Sequence, residues 1–316
     1  AISSVEYARR CVLSTSRGHY WLSCWVCWGK REQGGADRSA ARSQLYRRGA
    51  FGGQCNYRSG CERASKLERM TGTAAEKGTI YGVGLGPGAV DLLSVRADRL
   101  VRNARHVAFF RKAGRPGKAR QIVADLLPAA AAEFPMEYPV TTEIPLSDPN
   151  YQEVLSAFYE TCTARIRSLS EAGEDVIVLC EGDPFFYGSF MHLYRRLHID
   201  YPVEVIPAIT GMSAAWTATG QPITWGDDTL SVLIGTLDEA ELAKRFAETD
   251  AAVVMKIGRN LEKIKRALTT AGRMQAAFMV EYAAMPAQNV CRLADYNSNT
   301  APYFSIIILH GQGRAP

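Results

Sequence analysis

From residue 78 onward, short runs of apolar residues alternate with longer segments in which apolar residues recur at helical spacing. The apolar runs predict eight strands, at residues 79–83, 106–110, 175–180, 203–207, 230–235, 251–257, 276–282 and 304–310. Three of the segments between them predict amphipathic helices, at residues 91–104, 150–173 and 260–272. This order predicts an α/β fold with largely parallel strands.

The periodic part of the chain predicts two α/β domains, at residues 78–210 and 211–316, joined within residues 208–228. Residues 1–69 keep neither helical nor strand periodicity for long. Met70 and a short polar lead then precede the first clear strand. We therefore expect residues 1–69 to lie outside the fold, as a flexible extension or as translated upstream sequence, with Met70 as the natural start.

Charge separates the same two parts of the chain. The formal net charge is +5, yet residues 1–69 hold 13 Lys and Arg against 5 Asp and Glu, which leaves 24 against 27 for the rest. Because the basic excess is confined to the N-terminal segment, we expect no nucleic-acid partner for the main body. No apolar stretch approaches the roughly 20 residues of a membrane-spanning helix, and no signal-peptide pattern is present. We expect a cytoplasmic protein without a membrane partner.

The cysteines predict no metal or redox site. Cys24 and Cys27 have CxxC spacing, but no second CxxC or paired-histidine motif follows at a usual interval, and no βαβ pattern surrounds them. Beyond residue 70 only Cys162, Cys180 and Cys291 remain, scattered as in proteins of a reducing compartment.

The stretch IYGVGLGPGAVDLL, residues 80–93, places four glycines directly after the first predicted strand. A dinucleotide-binding loop needs the spacing G-x-G-x-x-G, whereas the spacing here is G-x-G-x-G-x-G. Pro87 also removes one of the N–H donors that a phosphate would use. The second strand is followed by Arg111 and Lys112 instead of an acidic residue. An NADP site with Arg111 on the 2′-phosphate, and a glycine-rich turn without function, both remain open.

Two further stretches follow predicted strands, where open parallel sheets bind their ligands. In CEGDPFFYGSF, residues 180–190, Gly182 permits close approach of a ligand and Asp183 can accept hydrogen bonds or face a positive charge. Asp183 and Pro184 could equally serve only to initiate a turn. The stretch VIPAITGMSAAWTATGQPIT, residues 205–224, leads into a helix of small residues, which suits close packing or a flat ligand.

These three stretches, in this order, resemble the motifs of the tetrapyrrole methylases, the S-adenosylmethionine-dependent enzymes of corrin and sirohaem synthesis. The resemblance extends to VVMKIGRN (253–260) and VEYAAMPAQNV (280–290) and so covers nearly all of residues 78–310. Within the family, three segments look most like those of precorrin-2 C(20)-methyltransferases: MEYPVTTEIP (136–145), GDPFFYGSFMHLYRRL (182–197) and TGMSAAW (210–216).

The resemblance implies two α/β domains, a homodimer, and S-adenosylmethionine bound in the cleft between the domains. It also implies a small-molecule tetrapyrrole acceptor, methylated at ring carbon 20 in cobalamin and porphyrin biosynthesis. Carried over by position, the cofactor contacts fall on Pro87, Gly182, Asp183, Phe186, Thr210, Gly211, Ile257, Ala283 and Pro302. A cofactor without phosphate needs no phosphate-binding loop, which accounts for the unsuitable glycine spacing.

The chain departs from the family pattern at three places. Ala89 and Val90 stand where the family has Asp-Pro, on the side of the loop that faces the acceptor. Ala208 replaces the usual glycine after Pro207, a small change if its φ is negative. Residues 1–69 have no counterpart in the family.

The implied methyl transfer depends mainly on positioning and requires no nucleophilic side chain. We assign no catalytic residue; Glu143, Asp91 and Tyr187 are weak candidates for a base. Because the acceptor is a polycarboxylate, we predict that Arg111 and Lys112 bind it. The alternatives are a paralogous methylase acting at another ring carbon or on a cobalt-containing acceptor, an NADP-dependent oxidoreductase, and a non-catalytic binding protein.

Overall fold

The computed structural model describes residues 76–139 and 149–313. The expectations for residues 1–69, for the Cys24 and Cys27 pair, and for Glu143 lie outside the described residues. Within these ranges the chain builds two five-stranded sheets in a single compact unit. The domain boundary between residues 210 and 211 stays a prediction.

The first sheet is parallel throughout, with the strand order β3-β2-β4-β1-β5. Its strands are β1 (Ile80–Gly84), β2 (His106–Lys112), β3 (Ala132–Tyr138), β4 (Val176–Cys180) and β5 (Val203–Ile206). Every residue of the central strand β4 is buried, as expected for a parallel strand covered on both faces.

Helices cover both faces of the first sheet: α1 (Val95–Arg102), α2 (Lys118–Ile122), α3 (Pro149–Glu171) and α4 (Phe190–Leu197). Ser94 caps α1, because its hydroxyl accepts a hydrogen bond from the Ala97 amide at 3.1 Å. One buried cluster contains Ala97 of α1, and another contains Ile166 of α3 and Leu193 of α4. Burial of these apolar faces stabilises the sheet, and because its strands are all parallel their carboxyl ends lie at one edge.

The second sheet has the order β6-β7-β10-β8-β9. Its strands are β6 (Leu230–Ile234), β7 (Ala251–Met255), β8 (Ala277–Glu281), β9 (Asn289–Arg292) and β10 (Ser305–Leu309). Only β6 and β7 are parallel neighbours; β10 is antiparallel to β7 and β8, and β9 is antiparallel to β8. The prediction of largely parallel strands is therefore wrong for this sheet. No α-helix lies between β8 and β9 or between β9 and β10, and a parallel neighbour needs a crossover connection.

Three helices pack on the second sheet: α5 (Gly211–Ala218), α6 (Glu239–Glu248) and α7 (Leu261–Thr270). Phe246 of α6 and Ile264 of α7 share a buried cluster on one face. Ala215 of α5 packs on the other face, against Val253 and Ile308. Within the described ranges, none of the helices is both long and apolar enough to cross a bilayer.

All eight predicted strands are present, but β3 and β9 were not predicted. The segment of β3 alternates correctly, with Phe134 and Met136 buried, but Pro135 interrupts it. Proline is tolerated there because β3 lies at the edge of its sheet, where one side of the strand has no neighbouring strand for an amide to bond. Strand β9 is also an edge strand, and with four partly exposed residues it leaves little hydrophobic signal.

Candidate functional site

Loops that follow three adjacent strands of the first sheet meet at its carboxyl edge. We call them the glycine loop (85–90, after β1), the GDP loop (181–189, after β4) and the third loop (207–210, after β5). The Gly182 amide donates to the Gly86 carbonyl at 2.9 Å, and the Gly86 amide donates back to Gly182 at 3.3 Å. Backbone hydrogen bonds therefore join the glycine loop to the GDP loop.

Close packing explains why glycines alternate along β1 and the glycine loop. A Cβ atom built on Gly84 would lie 2.6 Å from the Cβ of Ala208 and 2.9 Å from the Gly182 carbonyl oxygen. At Gly82 it would lie 2.4 Å from the ring of Phe190. Gly86 has a φ of +73°, which disfavours a side chain for a different reason. The G-x-G-x-G-x-G spacing does not fit a phosphate-binding loop. It is instead explained by close contacts and a positive φ, which disfavour side chains at these positions.

Asp183 connects the GDP loop to the third loop. One carboxylate oxygen accepts the Phe185 amide at 2.9 Å, which forms a local turn, and the other accepts the Ala208 amide at 3.0 Å. Asp183 therefore initiates a turn and also fastens the GDP loop to the third loop, while its contact with a cofactor stays a prediction. Ala208 does not have a positive φ, so alanine fits where the family has glycine.

The other predicted cofactor residues of the first sheet surround this junction. Gly182 has a φ of +64°, and no atom lies within 4 Å of a Cβ built there, so the backbone faces open space. Pro87 is buried and Phe186 is partly buried. Thr210 caps α5 by accepting the Ser213 amide at 3.3 Å, which places Gly211 at the start of that helix.

The second sheet contributes the loops that follow β7 and β8 and the segment that precedes β10. Ile257 is only 2% exposed and packs in the core beneath α7, so it can contact a ligand through its backbone alone. Ala283 and Pro302 are partly exposed. The Ala301 amide donates to Gly258 at 3.2 Å, and the Tyr282 amide donates to Phe304 at 2.8 Å. These bonds fix the segment before β10 against both loops.

Two contacts connect the loops of the first sheet with those of the second. A Cβ built on Gly88 would lie 2.5 Å from Cγ of Met285, so Met285 packs directly on the glycine loop. The Lys256 ammonium lies 4.9 Å from the ring centroid of Tyr187 in the GDP loop. The cleft between the two sets of loops is thus bordered by residues of both sheets.

Left-handed backbone at residues other than glycine is concentrated at this cleft. Among the described residues, the non-glycine residues with positive φ are Tyr187 (+56°), Lys256 (+56°), Tyr282 (+49°) and Ala284 (+58°). All four lie in the loops after β4, β7 and β8. Such conformations are costly for residues with a Cβ and cluster at functional sites.

Two residues at the cleft were not assigned from the sequence. Burial raises the pKa of the Glu181 carboxyl, partly opposed by a hydrogen bond of 3.1 Å from the Ala119 amide and by the Lys118 charge. Tyr138, at the end of β3, hydrogen-bonds the Ser189 hydroxyl, and burial raises its phenol pKa. Tyr138 was not assigned because β3 was not predicted. The alternation of buried and exposed residues along β3 could have indicated the strand.

The predicted acceptor-binding residues lie at the end of β2. Arg111 is ion-paired with Glu137, its direct neighbour on β3, with Nη2 at 2.6 Å from the carboxylate. Lys112 is exposed and also has a partner. Of the weak candidates for a base, Asp91 is exposed in a short 3₁₀ helix, and Tyr187 is 44% exposed beside Lys256.

The chain belongs to the Tetrapyrrole (Corrin/Porphyrin) Methylases, whose family model matches residues 79–295. It is 47% identical over 234 residues to a precorrin-2 C(20)-methyltransferase of a Sinorhizobium species, covering 74% of this chain and 96% of that protein. The family, the α/β fold and the enzyme class, a methyltransferase, are thereby confirmed.

Two solved structures share the fold. A cobalt precorrin-4 methyltransferase superposes with a TM-score of 0.57 at 20% identity, covering 73% of this chain and 93% of that one. A uroporphyrin-III C-methyltransferase from Thermus thermophilus, complexed with S-adenosyl homocysteine, superposes with a TM-score of 0.51 at 24% identity, covering 73% and 92%. At these identities the likeness establishes the fold alone.

Proposed function

We propose that this chain transfers a methyl group from S-adenosylmethionine to ring carbon 20 of precorrin-2 in cobalamin biosynthesis. The observation that carries the proposal is the 47% identity to the Sinorhizobium precorrin-2 C(20)-methyltransferase over 96% of that enzyme. Acceptor choice depends on side chains spread over the whole cleft. Similarity over the full length is therefore stronger support than any single motif.

The residues of the cleft fit a cofactor without phosphate. Gly182 leaves open space that a Cβ would fill, and both oxygens of Asp183 are used by backbone amides. The residues proposed to hold the cofactor are Pro87, Gly182, Asp183, Phe186, Thr210, Gly211, Ile257, Ala283 and Pro302. When bound, S-adenosylmethionine supplies an electrophilic methyl group.

The contribution of the chain is geometric. Hydrogen bonds between the Gly86 and Gly182 backbones, and from Ala208 to Asp183, hold the loops in one arrangement. A rigid cleft can align a nucleophilic ring carbon with the methyl group without any covalent step on the protein. Arg111 and Lys112 remain the proposed partners of the acceptor carboxylates, although the ion pair with Glu137 competes for Arg111.

The family resemblance also supports a homodimer located in the cytoplasm, with neither nucleic acid nor a membrane as partner. Sedimentation velocity of the full 316-residue chain tests the oligomeric state. A single species at the monomer mass would contradict the proposed dimer.

Incubation with precorrin-2 and ¹³C-methyl-labelled S-adenosylmethionine tests the reaction, with NMR to locate the new methyl group. We expect the label on carbon 20. Label at another ring carbon, or transfer only to the cobalt-containing acceptor, would support a paralogous methylase. Binding of NADP without binding of S-adenosyl homocysteine would support the oxidoreductase alternative, and binding without turnover would support a non-catalytic protein.

A further inference from the structure

We propose that Lys256 binds a carboxylate of the tetrapyrrole acceptor, and that the contact of its ammonium with the Tyr187 ring is given up when the acceptor binds. This inference rests on the proposed function, because it takes the acceptor to be a polycarboxylate. Lys256 directly follows β7, and its Nζ lies 4.9 Å from the ring centroid of Tyr187. The contact joins the second sheet to the GDP loop of the first.

The partner of Lys256 distinguishes it from Arg111, the arginine proposed above to bind the acceptor. Arg111 is ion-paired with Glu137, whereas within residues 76–139 and 149–313 Lys256 forms no ion pair and faces an aromatic ring. Its side chain is exposed. An ammonium has three N–H donors, and a ring face attracts the charge without accepting a conventional hydrogen bond. An acceptor carboxylate is therefore a stronger partner than the ring and can replace it.

The backbone at this position points to the same role. Lys256 has a φ of +56°, a conformation that glycine adopts far more readily. Gly258, two residues on, also has a positive φ, of +41°, and there the chain does use glycine. That a lysine occupies this costly conformation at the edge of a cleft, beside an aromatic ring, supports a role for its side chain.

In a purely structural interpretation, the contact of Lys256 with Tyr187 only holds the two sheets together. The two interpretations differ in what they predict for Tyr187. If the contact is only structural, loss of either side chain lowers acceptor affinity by the same factor. If Lys256 binds the acceptor, loss of the ammonium weakens acceptor binding, while loss of the ring leaves it nearly unchanged.

The test compares the variants K256M, K256R and Y187L with the matched control K244M, which removes an exposed lysine from α6. The acceptor probe is uroporphyrin III, a stable octacarboxylate, titrated by fluorescence at low and high salt. S-adenosyl homocysteine binding is measured by calorimetry. We expect K256M to weaken uroporphyrin binding about tenfold at low salt, with a smaller loss at high salt. K256R should stay within about threefold of the unaltered chain, because it keeps the charge.

K244M should bind uroporphyrin with the affinity of the unaltered chain, and the affinity of Y187L should be within about twofold of that value. None of the variants should change the affinity for S-adenosyl homocysteine. Equal uroporphyrin affinity in K256M and K244M would overturn the inference. So would a loss in Y187L as large as in K256M, which would indicate a structural fastening. If the unaltered chain bound neither compound, the proposed function itself would fail. Normal binding by the unaltered chain with an unaffected K256M would refute the assignment of Lys256 alone.

Discussion

The two edges that face each other across the cleft are built in different ways. On the first sheet, glycines let the loops pack together, through the close approach of Gly84 to Ala208 and the backbone pairing of Gly86 with Gly182. On the second sheet, the loops after β7 and β8 place Lys256, Tyr282 and Ala284 in left-handed conformations without using glycine there. Among the described residues of the first edge, Tyr187 in the GDP loop is the one non-glycine residue with such a backbone. The first edge thus presents mainly closely packed backbone, and the second presents more side chains held at a conformational cost.

The two edges should therefore respond differently to substitution. On the first edge, an added side chain meets closely packed backbone, so we expect it to cost folding stability and cofactor binding. On the second edge, a left-handed residue can be replaced by glycine, so we expect substitution there to relieve strain.

The largest effect is expected for Gly84→Ala. The new Cβ would lie 2.6 Å from the Cβ of Ala208 and 2.9 Å from the Gly182 carbonyl oxygen, and the Gly182 backbone, which is paired with Gly86, cannot move away cheaply. We expect a loss of about 3 kcal/mol in the free energy of unfolding, measured by urea denaturation. S-adenosyl homocysteine binding should be lost as well.

The matched control for Gly84 is Gly114→Ala, because Gly114 has a φ of +70° but no atom lies within 4 Å of its Cβ position. Its cost is limited to backbone strain, about 1 kcal/mol, and cofactor binding should be normal. Equal losses in the two variants would show that packing of the three loops does not determine the glycine pattern.

The next effect in size is expected for Asp183→Asn, which tests the connection between the GDP loop and the third loop. Asparagine keeps one acceptor oxygen but turns a donor toward the amide of Phe185 or Ala208, both of which now donate to Asp183. We expect a loss of about 2 kcal/mol and weaker binding of S-adenosyl homocysteine. Asp125→Asn, at an exposed position, is the control and should be neutral. A neutral Asp183→Asn would remove the proposed connection.

The first edge could be predicted from the sequence, because the close packing of its loops requires particular residue types. Where packing leaves no room for a side chain the sequence has glycine, so IYGVGLGPG and EGDPFFYGS could be recognised and the cofactor class predicted. Buried strands such as β4 are continuous apolar runs, and for this reason all eight strands predicted along the chain are present in the structure. The interruption by Pro135 concealed β3 and, with it, Tyr138.

The second edge leaves no comparable trace. Nothing in the letters of VVMKIGRN indicates that Lys256 has a left-handed backbone, or that its ammonium meets Tyr187 across the cleft. The pairing of Arg111 with Glu137 depends on the register of β2 with β3, which sequence periodicity alone does not determine. Contacts between residues far apart in the chain therefore had to come from the structure.

A smaller effect that depends on pH is expected for Glu181→Gln. Burial raises the pKa of the Glu181 carboxyl, so the folded protein holds this proton more tightly than the unfolded chain. Below the ordinary carboxyl pKa both states are protonated and the group has no effect. As the pH rises past that value, the unfolded chain ionises first and stability falls, until the folded carboxyl ionises as well and the penalty becomes constant.

The glutamine variant lacks this penalty and keeps an oxygen for the Ala119 amide, now 3.1 Å from the carboxylate. Urea denaturation at several pH values should therefore show equal stability at low pH and a variant that is the more stable at neutral pH. A difference that does not change with pH would mean that Glu181 is not held with a raised pKa.

The smallest effect is expected on the second edge, where Ala284→Gly should stabilise the protein. Ala284 has a φ of +58° and no functional side chain, so glycine relieves strain of about 1 kcal/mol or more while adding freedom to the unfolded chain. The net gain should be about 0.5 kcal/mol in urea denaturation without cofactor. Ala283→Gly, next in the same loop at an ordinary φ, is the control and should instead lose about 0.5 kcal/mol or more. Opposite signs at adjacent alanines would place the strain in the backbone of this loop, whereas losses of equal size would mean that the second edge holds its side chains without conformational cost.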